Sequence, residues 1–167
     1  MSRPSKLRRL VGVLFLCLVL WVHALALSAE TQIFTGKVVG VSDGDTLKVM
    51  HEGRAEKVRL ADIDCPEKAQ PYGQKAKQFA SDLAFAQVVT VIVHGLDRYG
   101  RSIGEVTLAD GRLLNRELVK AGLAWWYRRY SKDTSYEALE SEAKADKRGL
   151  WRDSDPTPPW EWRRTKR

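Results

Sequence analysis

Three short stretches of the chain gather acidic and basic side chains at places where the backbone turns. Asp43-Gly44-Asp45-Thr46 is a turn signal between two β-rich runs. Val58 to Glu67 closes a β-rich run and carries Arg59, Asp62, Asp64, Cys65 and Glu67. Asp97-Arg98-Tyr99-Gly100-Arg101 is a loop between two further runs. Each alone has an ordinary reading, since Asp-Gly turns are commonly structural and arginines at strand ends commonly solvated. Together they supply several carboxylates and arginines at loop positions, with no accompanying His or Cys cluster. Carboxylate oxygens suit a hard cation, Ca²⁺ or Mg²⁺. A guanidinium meets phosphate oxygens as a two-pronged fork, which lysine cannot do. A cation, arginines and a spare carboxylate are the parts needed to hydrolyse a phosphodiester. The cation neutralises a phosphoryl oxygen, the arginines stabilise the extra charge of the five-coordinate transition state, and the carboxylate orients or deprotonates water. Nothing in this scheme needs a ribose 2′-hydroxyl, so DNA and RNA are both admissible.

The elements that must position these loops follow from periodicity. Ile33 to Val41, Thr46 to Met50 and Lys57 to Ala61 read as a three-stranded meander. Ala76, Phe79, Ala80 and Leu83 recur at helical spacing, which predicts an amphipathic helix over Tyr72 to Phe85. Gln87 to His94 is nearly all β-branched and Ser102 to Leu108 is a fifth strand. Leu114, Leu118 and Ala121 mark a short helix ended by Gly122; Tyr136, Leu139, Ala143 and Asp146 share one face of a last helix, with Gly149 as its stop. The fold class is therefore α+β: a five-stranded closed barrel of the oligonucleotide-binding (OB-fold) kind with three α-helices. Asp155 to Arg167 reads as an irregular tail with Pro and Trp.

The chain has 167 residues, which suits one domain with a real core. Two cysteines exclude a disulfide-stapled mini-protein and a Cys-rich zinc ribbon. The net charge of +7 weakens as a nucleic-acid signal once located, because Arg3, Lys6, Arg8 and Arg9 sit at one end and Arg163, Arg164, Lys166 and Arg167 at the other. The stretch between is close to neutral, so any cationic site must be local. The basic start, the uncharged run from Leu10 to Ala29 and the small residues Ala24, Ala26, Ser28 and Ala29 read as an export signal over residues 1–29. An uncleaved membrane anchor is the other reading. Both place the remainder outside the cytoplasm, periplasmic or secreted. Residues 30–152 form the domain and 153–167 the tail.

Taken in order and spacing, Asp43-Gly44-Asp45-Thr46, then Arg59 with Asp64-Cys65-Pro66-Glu67, then Asp97 to Arg101 resemble the staphylococcal nuclease (thermonuclease) family, from about Ile33 to Trp151. The resemblance implies an OB-type barrel with three helices that hydrolyses DNA and RNA with Ca²⁺ and leaves 3′-phosphate ends. It implies that Asp45 and Asp64 are the metal carboxylates and that Cys65 lends its backbone carbonyl to the metal. Glu67 then stands near the attacking water, and Arg59 and Arg101 are the phosphate arginines. Arg98 and Tyr99 match positions that line the nucleotide site, and Asp43 an acidic residue beside the metal. The sequence departs from the family pattern at Cys65, where the type protein has threonine, and at Asp62, where many relatives have glycine. The loop after Glu67 is short, and Trp125 to Tyr130 does not align with the type protein's base-stacking tyrosine. Tyr127, Arg128 and Tyr130 are the candidates to take over that work.

Bland readings stand beside these. Trp125 to Tyr130 serve equally well as a base-stacking platform or as packing between barrel and helix. Trp151, Trp160 and Trp162 are expected to pack the C-terminal segment on the core, and Arg163 to Arg167 to form a frayed, solubilising end. His51 and His94 have no partner at ligand spacing, and Cys65 as a nucleophile lacks a nearby histidine. The expected function is an exported Ca²⁺-dependent nuclease, with Mg²⁺ as the other ion, acting as a monomer on DNA and RNA, single strands preferred. No stable protein partner is implied, and membrane contact arises only through an uncleaved N-terminal segment. The alternatives are a non-catalytic OB-type module that binds single strands, and a phosphodiesterase on small nucleotides. A pure binder has no use for Asp45, Asp64 and Glu67, which repel phosphate unless a cation fills them.

Overall fold

The structure, a computed structural model, describes residues 32–165. The N-terminal segment read as a signal or anchor, and Lys166 and Arg167 of the basic tail, lie outside the described residues. Among the described residues no helix is long and apolar enough to cross a membrane.

Five strands close a barrel in the order β1-β2-β3-β6-β5. They are β1 (Gln32–Asp43), β2 (Thr46–His51), β3 (Arg54–Leu60), β5 (Val88–Leu96) and β6 (Ser102–Thr107). The meander β1-β2-β3 is antiparallel, with β2 and β3 in unbroken register from Thr46↔Arg59 to His51↔Arg54. Closure comes from a parallel pairing of β3 with β6, through Val58↔Ser102, Arg59↔Ile103 and Leu60↔Gly104. That pairing sets Arg59 on the barrel rim beside the loop that follows β5. The barrel is filled from alternate positions of its strands: Val38, Leu47, Val49, Val58, Leu60, Val89, Val91 and Val106 are buried. Each such side chain contributes about 1.5–3 kcal/mol of transfer free energy relative to exposure.

Helix α1 (Gly73–Ala84) lies on β1 and buries Ala76, Ala80 and Ala84 at four-residue spacing. Their small side chains let the helix approach closely, while Phe79 and Leu83 flank the seam half-buried. Helix α2 (Leu114–Lys120) ends before Gly122, whose φ of +68° makes the turn out. Helix α3 (Ser135–Ala145) ends sooner than expected: Lys147 already takes the left-handed conformation at φ +51°, ahead of Gly149. A 3₁₀ turn, Gly149–Arg152, follows.

Two elements were not foreseen. The first is a miniature pairing of β4 (Ile63–Asp64) with β7 (Trp125–Trp126), Ile63↔Trp126 and Asp64↔Trp125. The second is helix α4 (Pro159–Thr165), within the segment expected to be irregular. Pro159 opens it with φ already suited to a helix; Glu161 in the first turn and Arg163 and Arg164 in the last complement the helix dipole. The barrel and three helices expected from the sequence are thus present, with a fourth helix at the C-terminal end.

Candidate active site

A cleft of about 1040 Å³ opens on the barrel rim, and the three charged stretches all reach it. Each is positioned by a local device. The Asp43–Thr46 turn is pressed onto the core, so that a Cβ on Gly44 would lie 2.7 Å from Ala76 Cβ and 2.9 Å from Cys65 Cβ and Sγ. Asp43 Oδ1 accepts the Asp45 amide at 3.2 Å, an Asx turn that aims Asp45 inward.

The second stretch leaves β3 through Asp62, whose φ of +65° is left-handed. That explains why glycine suits this position and Asp is among the few side chains that tolerate it. Buried Asn115 braces the exit: its Nδ2 donates to Ala61 O at 3.0 Å and Gly104 O at 3.2 Å, and its Oδ1 accepts the Val106 amide at 3.1 Å. The β4–β7 pairing then fixes Asp64. Gly73 lets the short Glu67 loop fold onto the start of α1, since a Cβ there would lie 1.9 Å from Glu67 O.

In the third stretch, Asp97 Oδ1 accepts the amides of Tyr99 at 2.8 Å and Arg101 at 2.9 Å, and its Oδ2 accepts Arg101 Nε at 2.7 Å. Burial pushes the Asp97 carboxyl up, but these donors outweigh it and hold the group below the usual Asp range.

The charged groups form one alternating row. Arg101 Nη1 donates to Thr46 Oγ1 at 3.3 Å, and Thr46 Oγ1 donates to Asp45 Oδ1 at 3.3 Å. Asp45 Oδ2 accepts the Cys65 amide at 2.7 Å and Arg59 Nη1 at 3.0 Å. Arg59 Nη2 donates to Asp64 Oδ1 at 2.9 Å. Arg163 of α4 donates Nη2 to Asp64 Oδ2 at 2.7 Å and Nη1 to Glu67 Oε1 at 2.7 Å. Asp45 and Asp64 are 6% and 1% exposed, so two carboxylates are buried around one guanidinium. Burial pushes the Asp45 carboxyl up to about 7, with Asp43 and Asp64 adding to the rise and Arg59 and the Cys65 amide opposing it. Burial opposes the charge on Arg59, but Asp45 and Asp64 hold its guanidinium more firmly protonated than usual.

This donor set fits a hard divalent cation. Asp45 and Asp64 supply buried carboxylate oxygens, and Cys65, whose amide donates to Asp45, lies beside them. Among the described residues no group of three or more His, Cys, Asp or Glu is gathered as a metal cluster. A cation here would therefore complete its shell with water or substrate oxygen, as Ca²⁺ and Mg²⁺ do.

Asp45, Arg59, Asp64, Cys65, Glu67, Arg98, Tyr99, Arg101, Tyr127 and Tyr130 all line the cleft, together with Asp43 and Asp62. Arg128 does not. Its Nη2 donates to buried Glu140 of α3 at 3.0 Å and its guanidinium lies over Trp126, 4.3 Å from the ring centroid. Arg128 is held there because Glu140, 1% exposed, needs cations to offset its burial, and Lys144 Nζ at 2.8 Å is the other. Tyr99 and Tyr130 are each 68% exposed, whereas Tyr127 has a face covered by Trp160, with ring centroids 5.4 Å apart and planes at 4°. Trp151 and Trp160 pack edge-on against Trp125, as expected of C-terminal tryptophans. The Cys65 thiol is buried, and burial with Asp45 beside it pushes its pKa well up, the reverse of a nucleophile. His51 pairs with Glu56 and stacks on Phe34, and His94 pairs with Glu105.

Arg163 is the site residue that sequence reasoning assigned to a frayed end. The signals were Pro159 at a helix start and a tryptophan three residues before the arginine. Gln70 was also missed: its Oε1 accepts the Glu67 amide at 3.1 Å and its Nε2 donates to Thr157 O at 2.6 Å, tying the Glu67 loop to the C-terminal segment.

The family model described as "Staphylococcal nuclease homologue" matches residues 57–153. An uncharacterized endonuclease of Escherichia coli O157:H7 is 46% identical over 131 residues, 78% of this chain and 86% of the relative. An uncharacterized endonuclease of Haemophilus influenzae is 44% identical over 131 residues, 78% of this chain and 73% of the relative. A micrococcal nuclease of Shigella flexneri is 41% identical over 141 residues, 78% of this chain and 81% of the relative.

Proposed function

The chain belongs to the staphylococcal nuclease homologue family, and from that membership we propose that it is an exported, Ca²⁺-dependent endonuclease acting on DNA and RNA. The observation that carries the proposal is the connected row of Arg101, Asp45, Arg59, Asp64 and Glu67 lining one cleft. The relatives named as endonucleases and a micrococcal nuclease support it.

Asp45 and Asp64, with the Cys65 carbonyl, would hold the cation, which when bound neutralises a phosphoryl oxygen and makes the phosphorus more electrophilic. The chain's own residues do the rest. Arg59, set on the rim by the β3–β6 pairing, offers a rigid fork for phosphate once its carboxylate partners are neutralised by another cation. Arg101 is oriented by Asp97 through Nε and lies at the Thr46 end of the row, where it stabilises the added negative charge of the transition state. Glu67, 42% exposed at its side chain, reaches water and can orient or deprotonate it. Tyr99 and Tyr130 present exposed rings to unstacked bases, which supports single-stranded substrates. Export rests on the basic start and uncharged run of residues 1–29.

The test is cleavage of single-stranded DNA and RNA by the purified protein with Ca²⁺, Mg²⁺ or a chelator, run beside Glu67→Gln as a control for contaminating nuclease. Cleavage that needs Ca²⁺ and is lost in the variant is expected. Tight binding without cleavage under every ion would replace the nuclease reading with that of a binding module.

A further inference from the structure

In cation-dependent cleavage Asp64 and Glu67 must face a cation and a water. In the structure both are gripped by a guanidinium from the far end of the chain. Helix α4 is seated by Trp160, which lies flat on Tyr127 and edge-on to Trp125, 6.4 Å between centroids. The Gln70–Thr157 hydrogen bond holds the preceding segment to the Glu67 loop. Arg163, one helical turn beyond Trp160, then points into the cleft. Its Nη2 takes Asp64 Oδ2 at 2.7 Å, and its Nη1 takes Glu67 Oε1 at 2.7 Å and Asp64 Oδ1 at 3.3 Å. Asp64 cannot turn away to find another partner, because its backbone is paired with Trp125 and its side chain is 1% exposed. A cation that uses Asp64 must therefore take oxygen that Arg163 occupies.

We propose that Arg163 is a built-in counterion of the cleft, a positioning residue that holds Asp64 and Glu67 until a divalent cation displaces it. The proposal rests on the cation-dependent reading given above. Displacement needs no movement of α4. The Arg163 side chain is 40% exposed on a long flexible stem, while Trp160 holds the helix through ring contacts separate from the ion pairs. The Glu67 end of the grip is exposed on both sides, 40% and 42%, and such a pair is weak enough to exchange. The single positive charge of Arg163 is shared between two carboxylates that would otherwise repel each other and incoming phosphate, and it keeps both in place for their later partners. The cost is lower apparent affinity for the cation.

Calorimetric titration of the full chain with CaCl₂ alone, without substrate, tests this. Arg163→Gln should bind Ca²⁺ about three- to fivefold more tightly than the wild type. Arg163→Lys keeps the charge but cannot span both carboxylates, so it should lie between the two; it gives the same reading if the glutamine variant does not fold. Arg164→Gln removes an equal charge from an exposed position on the same helix and should change the affinity less than twofold. Equal or weaker Ca²⁺ affinity in Arg163→Gln, or an equal gain in Arg164→Gln, overturns the proposal while leaving the cation reading intact. Absence of Ca²⁺ binding in every protein, with cleavage indifferent to chelator, brings down both.

Discussion

Asp45 and Asp64 lie on two sides of a single guanidinium: Arg59 gives Nη1 to the first at 3.0 Å and Nη2 to the second at 2.9 Å. The planar fork of arginine is what permits this, and a point charge on a lysine stem does not reproduce it. Removing Arg59 leaves Asp45 buried without its guanidinium and Asp64 with Arg163 alone. We expect Arg59→Ala to lose about 3 kcal/mol of stability in urea unfolding, in the range seen when one partner of a buried pair is deleted. Millimolar Ca²⁺ should restore part of the loss, because a ligand that binds only the folded chain stabilises it. An unchanged urea midpoint would mean that the pair is not held by Arg59.

Glu67 touches the reaction through water, so its charge matters to rate more than to substrate affinity. Glu67→Gln should lower turnover by roughly 10²- to 10⁴-fold with a much smaller change in single-stranded DNA binding. Steady-state cleavage and fluorescence-anisotropy binding separate the two. Equal losses in both would remove Glu67 from the role of base.

Arg101 is a preorganised donor because Asp97 holds it through Nε and through its amide. Arg101→Ala should lose about 2–4 kcal/mol of transition-state stabilisation in kcat/KM. Unchanged turnover would take it out of the site.

Asp97 itself offers a test in pH. Its folded carboxyl lies below the ordinary value of 3.8. The stability it contributes is therefore complete above that value and is lost as pH falls through the lower folded value. The gap in unfolding free energy between wild type and Asp97→Asn should be constant at neutral and mildly acidic pH and should close only in stronger acid. A gap that closes well above pH 3.8 would contradict the hydrogen-bonded geometry.

Cys65 is buried against Gly44, with a thiol that burial keeps protonated. Cys65→Ser should cleave at a rate within a fewfold of wild type, and the native thiol should react with a disulfide reagent only as the protein unfolds. Rapid labelling of the folded protein, or complete loss of activity in a folded serine variant, would revive the nucleophile.

The sequence carried the barrel because its signals are local. Alternating Leu47 and Val49, the β-branched run from Val88 and the turn at Gly44 each write a strand or its end over a few residues. The same holds for Asp45, Arg59, Asp64 and Arg101, which reach one cleft because short strands and tight turns leave little freedom in where rim residues go. What escaped is what long-range pairing decides. The β4–β7 ladder spans two residues on each side, too few for any periodicity to register. Arg128 carried the sequence look of a base-stacking neighbour, yet its direction is set by buried Glu140 on a different helix. Arg163 read as a solubilising terminus because its partners, Asp64 and Glu67, stand 99 and 96 positions earlier in the chain.

That separation gives the cleft an order of assembly. Asp64 meets Arg59 across five residues and Arg163 across 99. A chain made from its N-terminus has every strand of the barrel, through Thr107, before α4 exists. Asp45, Arg59 and Asp64 can take their places while Glu67 still has no guanidinium to meet. Arg163 comes only with α4, so a helix made late closes over strands made earlier.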